Sequence, residues 1–157
     1  MTDTPAPIVR EARPEDLPRL LVLMQQLSAN GARPETEVQT ATDRHQEALE
    51  DLLRDSRCHL LVIEDGSEVL GTCALYIVPN LSHGAAPWSI VENVVVDDRL
   101  RSRGYGELLM AEAERLAKEQ GAYRLSLMSN ERRSDAHRFY RRLGYEPSHQ
   151  GFTKYFI

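Results

Sequence analysis

The sequence predicts an α/β protein with a mixed central sheet, its elements in the order β-α-α-β-β-β-α-β-α-β. Three observations carry this. Strand-like runs alternate with segments of helical periodicity. Three strand signals follow one another with no helix between them, so part of the sheet must consist of antiparallel hairpins. The run Val94-Val95-Val96 has the composition of a strand buried on both faces.

Taken in order, "IVREA" (8–12) reads as a short strand. "RPEDLPRLLVLMQQL" reads as a helix opened by Pro14, with Glu15 and Asp16 in its first turn. "ANGARPETEVQT" is a polar loop containing Gly31 and Pro34. His45, Leu49, Leu52 and Leu53 fall at i, i+4, i+7 and i+8 and predict a second helix over 43–55. "CHLLVIED", a turn at Gly66-Ser67, and "EVLGTCALYIVP" follow as a strand hairpin, and after the loop "NLSHGAA" comes the strand "WSIVENVVVD". The third helix places Leu109, Ala113, Leu116 and Ala117 on one face and ends near Gly121. "YRLSLMS" alternates as a further strand. Ala136, Phe139, Tyr140 and Leu143 share a face of the last helix, with Gly144 just past its end, and "GFTKYFI" reads as a closing strand.

A chain of 157 residues is long enough for one domain, 1–157, with a real core. Its 41% hydrophobic and 27% charged residues are ordinary for a soluble globular protein. A net charge of −5 argues against nucleic acid or an anionic membrane as the main partner. Cys58 and Cys73 are too few for a disulfide framework, and no Cys/His cluster has zinc spacing, so no metal is expected. "MTDTPAPIVR" has the character of neither signal peptide nor anchor, and no apolar run is long enough to span a bilayer; a cytoplasmic protein is expected.

The densest positive charge, "RLRSRGYGELL" (99–109), lies between the valine-rich strand and the third helix. A helix N-terminus offers unpaired N–H groups and partial positive charge. Gly104 and Gly106 let backbone approach a ligand closely, and Arg99, Arg101 and Arg103 add charge, which together describe a pyrophosphate-type anion site. A dinucleotide fingerprint would need glycine where Leu109 stands, and a P-loop would need Gly-Lys-Ser/Thr. A glycine turn with solvated arginines is the alternative.

"RSRGYG" (101–106) matches the R/Q-x-x-G-x-G/A signature of the GNAT superfamily of acyl-CoA-dependent N-acetyltransferases, which the chain resembles. "VENVVVDDRLRSRGYGELL" is similar to that family's fourth strand, loop and third helix; "AHRFYRRLGYEP" (136–147) to its A-x-x-x-Y-x-x-x-G-F/Y motif; "IVREARPEDLPRL" to its first strand and helix. The resemblance implies a GNAT-like sheet with splayed fourth and fifth strands, and acetyl-CoA as acetyl donor with no metal. The pantetheine arm would bond backbone around Val94, Val95 and Val96. The pyrophosphate would lie over Arg101, Ser102, Arg103, Gly104, Tyr105, Gly106 and Glu107. Where the family has Asn seven residues before the helix tyrosine, this chain has Arg133, with Asn130 three residues earlier; either is a candidate for the cofactor.

An alkyl amine must lose a proton before it attacks a thioester, which costs about 4.6 kcal/mol at pH 7. Glu92 is the first candidate base, since an acid inside "SIVENVVV" needs a task or a partner; a purely structural hydrogen-bonding role is the alternative. His83 is the second candidate, and His137 reads as a surface or packing residue. Tyr140 holds the family's position for protonating the leaving thiolate and lies beside the cofactor there, with Phe139 and Leu143 as packing. An amide near Val94 would polarise the thioester carbonyl. In the family the acceptor enters on the side built here from 29–42, 76–88 and the C-terminal strands, with Tyr76, His83 and Trp88 as candidate lining.

The reading is therefore an N-acetyltransferase acting on the primary amine of a small molecule, or a peptide amine, by direct attack in a ternary complex. A second copy of the chain is left open as a partner. An acyl-CoA-binding sensor without turnover is the alternative, and a protein using "RSRGYG" for another phosphate ligand is a third.

Overall fold

The computed structural model describes residues 6–29 and 40–156. Most of the polar loop at 29–42 therefore lies outside the described residues. The chain forms two compact units, 1–127 and 128–157.

The first unit holds five strands: β1 (Ile8–Glu11), β2 (Cys58–Asp65), β3 (Glu68–Val78), β4 (Trp88–Val96) and β5 (Leu125–Leu127). They lie in chain order, antiparallel from β1 to β4, with β5 parallel to β4. Its helices are α1 (Leu17–Ala29), α2 (Asp43–Arg54) and α3 (Tyr105–Glu119). The chain enters α1 through a 3-10 turn at Pro14–Asp16. Asp16 closes that turn, accepting from the Arg13 N–H at 2.8 Å and from the Arg10 guanidinium at 2.8 and 3.1 Å. Thr42 caps α2 by accepting from the His45 N–H at 3.4 Å.

One face of the sheet packs against α1 and α2 through Leu20, Leu23, Leu49, Leu60, Val62, Ala74 and Val95. The other meets α3, whose Leu109, Met110 and Ala113 are wholly buried. Burying a leucine such as Leu23 contributes about 2 kcal/mol.

The second unit carries α4 (Ser134–Arg142). Gly144 follows it at φ +90°. The Gly144 N–H bonds the Arg141 carbonyl at 3.0 Å and the Tyr145 N–H bonds the Tyr140 carbonyl at 3.0 Å. This is a Schellman ending, which requires the left-handed residue that glycine supplies. Tyr145 also meets Tyr140 edge-on, with ring centroids 6.1 Å apart.

Two expectations are corrected. Val95 is buried but Val94 and Val96 are only half so, and the valine run is not enclosed on both faces. A bulge at Asn93 changes the phase of the strand, and the ladder to β5 ends before the run begins. The expected closing strand is absent too: 151–156 have no ladder partner, and Phe152 and Phe156 are 88% exposed. Its alternation places Lys154 on the face of Phe152 and Phe156, so neither face is apolar throughout, and aromatic content alone does not make a strand.

Candidate active site

β4 is paired asymmetrically. Toward β3 its register runs from Trp88 to Val96, but toward β5 it covers only Ser89 to Val91, ending at Val91 opposite Leu127. Across 92–96 the β5 side has no strand partner among the described residues. The bulge explains the divergence. Glu92 pairs with Ala74 and Val95 with Thr72, so Asn93 and Val94 together oppose Cys73. Asn93 takes φ +55°, a left-handed value that asparagine tolerates better than the valines around it. A bulge bends and twists its strand, carrying β4 away from β5. Gly71, opposite Val96, lets β3 stay close at this point: a Cβ there would lie 2.8 Å from the Val95 carbonyl oxygen. The result is a stretch of open strand edge to which an extended, amide-bearing ligand can add.

β4 runs directly into the glycine turn. The Asp97 N–H ends the ladder on the Leu70 carbonyl at 2.8 Å. The Asp97 side chain, 1% exposed, accepts from the Arg99 N–H at 3.0 Å, from its guanidinium at 3.0 and 2.9 Å, and from Arg19 at 2.5 Å. The hydrogen bonds from Arg99, then those from Arg19, hold the Asp97 carboxyl well below the usual range despite burial. Arg101 pairs with Asp98, whereas Arg103 makes no ion pair among the described residues. Two of the three arginines are thus neutralised locally. Ser102 at φ +64° and Gly104 at φ +84° turn the chain into α3. Gly104 occupies the cap position with no side-chain cap on the first helical amides. The Tyr105 hydroxyl donates to Asp65 at 3.3 Å and fixes the start of the helix to the β2–β3 turn.

Glu92 is half-buried, and burial raises its carboxyl above the ordinary glutamate range. Tyr76 lies on the same face one register step away, since Tyr76 pairs with Ile90 and Ala74 with Glu92. Cys58 stands opposite Tyr76. Burial, with Asp55 and Glu11 adding to it, pushes the Cys58 thiol up to about 11. A cavity of about 400 Å³ opens here, lined by Ala48, Asp51, Leu52, Asp55, Cys58 and Tyr76.

His83 is not brought to this cluster. It sits in a tight turn with Gly84 and Ala85, all at positive φ, and stacks on Tyr123 at 4.1 Å. The Arg124 guanidinium lies 5.1 Å from the Trp88 ring, and the Tyr123 N–H bonds the Pro87 carbonyl at 2.9 Å. This group occupies the Trp88 end of β4, four residues and about 13 Å along the strand from Glu92. In the second unit, Asn130 accepts from the Arg132 N–H at 2.9 Å, and its carbonyl accepts from the Arg133 N–H at 3.0 Å, forming the turn into α4. Tyr140 is 8% exposed, with Phe139 edge-on at 5.2 Å. Sequence reasoning missed the roles of Gly71, Asn93 and Asp97 and the α2 wall of the cavity. A polar, left-handed-tolerant Asn93 inside a valine run was the available signal for the bulge.

A five-stranded mixed sheet, a bulged and half-unpaired fourth strand, and a glycine turn at a helix start define an α/β fold with an open strand edge that leads into a helix N-terminus. Residues 24–145 match the acetyltransferase (GNAT) family, and the chain belongs to it. It is 38% identical over 103 residues to the aminoalkylphosphonate N-acetyltransferase of Salmonella typhimurium, covering 65% of this chain and 66% of that one's length. Among solved structures it is similar to an Agrobacterium tumefaciens C58 protein assigned as an acetyltransferase, with TM-score 0.84 and 28% identity over 94% of this chain and 99% of that one. It is also similar to a transcriptional regulator from Bacillus halodurans C-125, with TM-score 0.83 and 26% identity over 96% and 100%. No helix among the described residues is long and apolar enough to cross a membrane.

Proposed function

We propose that the protein transfers an acetyl group from acetyl-CoA to the primary amine of a small molecule, by direct attack within a ternary complex. The observation that carries this reading is the open β4 edge at 92–96 running straight into the Gly104 turn, in a chain of the GNAT family. A small amine acceptor agrees with the substrate in the name of the Salmonella relative.

Acetyl-CoA supplies the activated acyl thioester when bound. Backbone groups of Val94, Val95 and Val96 bond its pantetheine amides, and the segment from Arg101 to Glu107 holds the pyrophosphate, chiefly through amides at the start of α3. Asn130 and Arg133, ten and seven residues before the helix tyrosine, are the two candidates in this segment to meet the cofactor. Glu92 takes the proton from the acceptor's ammonium, directly or through water; at pH 7 that deprotonation costs about 4.6 kcal/mol for an ordinary alkyl amine. The freed lone pair forms the C–N bond as the C–S bond breaks, the nitrogen's second proton passes to solvent, and Tyr140 protonates the departing thiolate and is reprotonated from solvent. Tyr140 holds that role by its motif, and the Schellman ending at Gly144 and Tyr145 fixes its carbonyl and ring.

The test is a panel of primary amines incubated with acetyl-CoA, following free thiol and the acetylated product. Thiol release matched by product is expected for at least one amine. Tight acetyl-CoA binding with no release for any amine would favour the sensor reading, to which the likeness to a Bacillus halodurans transcriptional regulator gives its one support.

A further inference from the structure

The face of the sheet beneath α2 joins Glu92 to a space of its own. Cys58 stands opposite Tyr76, Tyr76 opposite Ile90, and Ala74 opposite Glu92, so Tyr76 and Glu92 are diagonal neighbours on one face. Diagonal neighbours in a sheet lie about 7–8 Å apart, within reach of an aromatic ring and a long carboxylate. On its other side Tyr76 lines the 400 Å³ cavity, whose opposite wall is Ala48, Asp51, Leu52 and Asp55. Tyr76 therefore separates the carboxylate from the cavity. Burial, with Cys58 and Glu92 beside it, raises the phenol above its ordinary range, so the hydroxyl remains a donor at every working pH.

We propose that Tyr76 is a specificity-determining residue of the acceptor site, and that the cavity takes the body of a primary amine whose far end is uncharged or positive rather than phosphorylated. This rests on the acetyltransferase reading. A cavity of about 400 Å³ is at the small end of ligand sites. Ala48 and Leu52 give it an apolar wall, and its described lining contains two carboxylates and no lysine or arginine. Arg54 and Arg57 hold Asp51 and Asp55 at 3.4 and 3.3 Å from outside that lining. A phosphonate or phosphate in the cavity would face the two carboxylates directly, with Arg54 and Arg57 held on their outer side. The Tyr76 hydroxyl, hydrogen-bonded with the Cys58 thiol at the edge of the cavity, would orient the body of the acceptor, with its amine on the Glu92 side of the ring.

The experiment is acetylation kinetics with butylamine, 1,4-diaminobutane and 2-aminoethylphosphonate, using the wild type, Tyr76→Phe and Leu52→Trp, with thermal melts to establish folding. The wild type should favour either alkyl amine over the phosphonate by more than tenfold in kcat/KM. Leu52→Trp, which fills the cavity, should raise the acceptor KM more than tenfold. Tyr76→Phe removes only the hydroxyl and should raise the acceptor KM severalfold, with the acetyl-CoA KM within twofold of wild type. Preference for the phosphonate, or a folded Tyr76→Phe with unchanged acceptor KM, overturns the proposal while leaving the acetyltransferase reading standing. Calorimetry with acetyl-CoA separates the two cases: no binding and no turnover with any amine overturns both.

Discussion

Glu92 meets two opposing demands. Its half-buried position raises its carboxyl above the ordinary range, so the ionised form is less stable in the fold than in the unfolded chain. Between the ordinary and the raised values the folded protein binds the extra proton. Its contribution is thus favourable below the ordinary range and is lost as pH rises through the folded value. Glu92→Gln should therefore raise the melting temperature at pH 7 and change it little in acid. In the proposed role of base, the same carboxylate is needed in its ionised form. The substitution should lower turnover by about 10²-fold or more, most at the acid end of the working range, where solvent offers least hydroxide. Melts and a pH–rate profile on one preparation check both. A lower melting temperature with an unchanged profile would make Glu92 a hydrogen-bonded structural acid.

The elements around the glycine turn carry the next two expectations. Asp97 is favoured in its ionised form by Arg99 and Arg19, so its contribution is present above the ordinary aspartate range and lost as pH falls through the folded value. Asp97→Asn should cost about 3 kcal/mol at pH 7, the scale for breaking a buried pair, and less at pH 3. Urea denaturation at both values checks it; equal losses would contradict the charge argument. At Gly104 a Cβ would meet nothing within 4 Å, so the constraint there is φ +84° rather than crowding. Gly104→Val should cost about 1–2 kcal/mol of backbone strain and lower acetyl-CoA affinity more than tenfold. Gly104→Asn, which tolerates the left-handed region, should be milder in stability. Calorimetry showing wild-type affinity in folded Gly104→Val would remove the turn from the cofactor site. Periodicity made these elements legible in advance: the sequence bounds of β2 coincide with those observed, and α2 ends within one residue. The glycine turn was equally visible, because a positive-φ cap and a helix start leave local signals. The bulge was not read, since strand phase is set by how β3 and β4 pair. That Asp97 and Asp98, two and three positions before them, occupy Arg99 and Arg101 was not read from the adjacent acids, and the further partner of Arg99, Glu68, lies 31 positions away in the chain.

At the scale of the whole molecule the open question is the order of chemical events, and the two cysteines decide it. A ping-pong route would need a nucleophile on the protein to carry the acetyl group, and a reactive cysteine is one whose thiol is lowered toward neutrality. Here both are moved the other way: burial pushes Cys58 up to about 11 and Cys73 up to about 12. At pH 7 the Cys58 thiolate is then about one part in ten thousand. Cys58 does line the cavity, so access is available to it, but protonation keeps it inert. Cys73 is wholly buried within β3. The acetyl group should therefore pass directly to the amine, and initial rates at varied acetyl-CoA and amine should give intersecting rather than parallel reciprocal lines. Cys58→Ser should keep kcat within about threefold, since a hydroxyl replaces a thiol that stays protonated, and any effect of changing the cavity wall should fall on the acceptor KM. Intact mass after incubation with acetyl-CoA alone should show no added acetyl group. Parallel lines, with a 42 Da adduct (~42, one acetyl for one hydrogen) that Cys58→Ser abolishes, would place an acyl-enzyme on Cys58 and require Glu92 to serve a second, separate transfer.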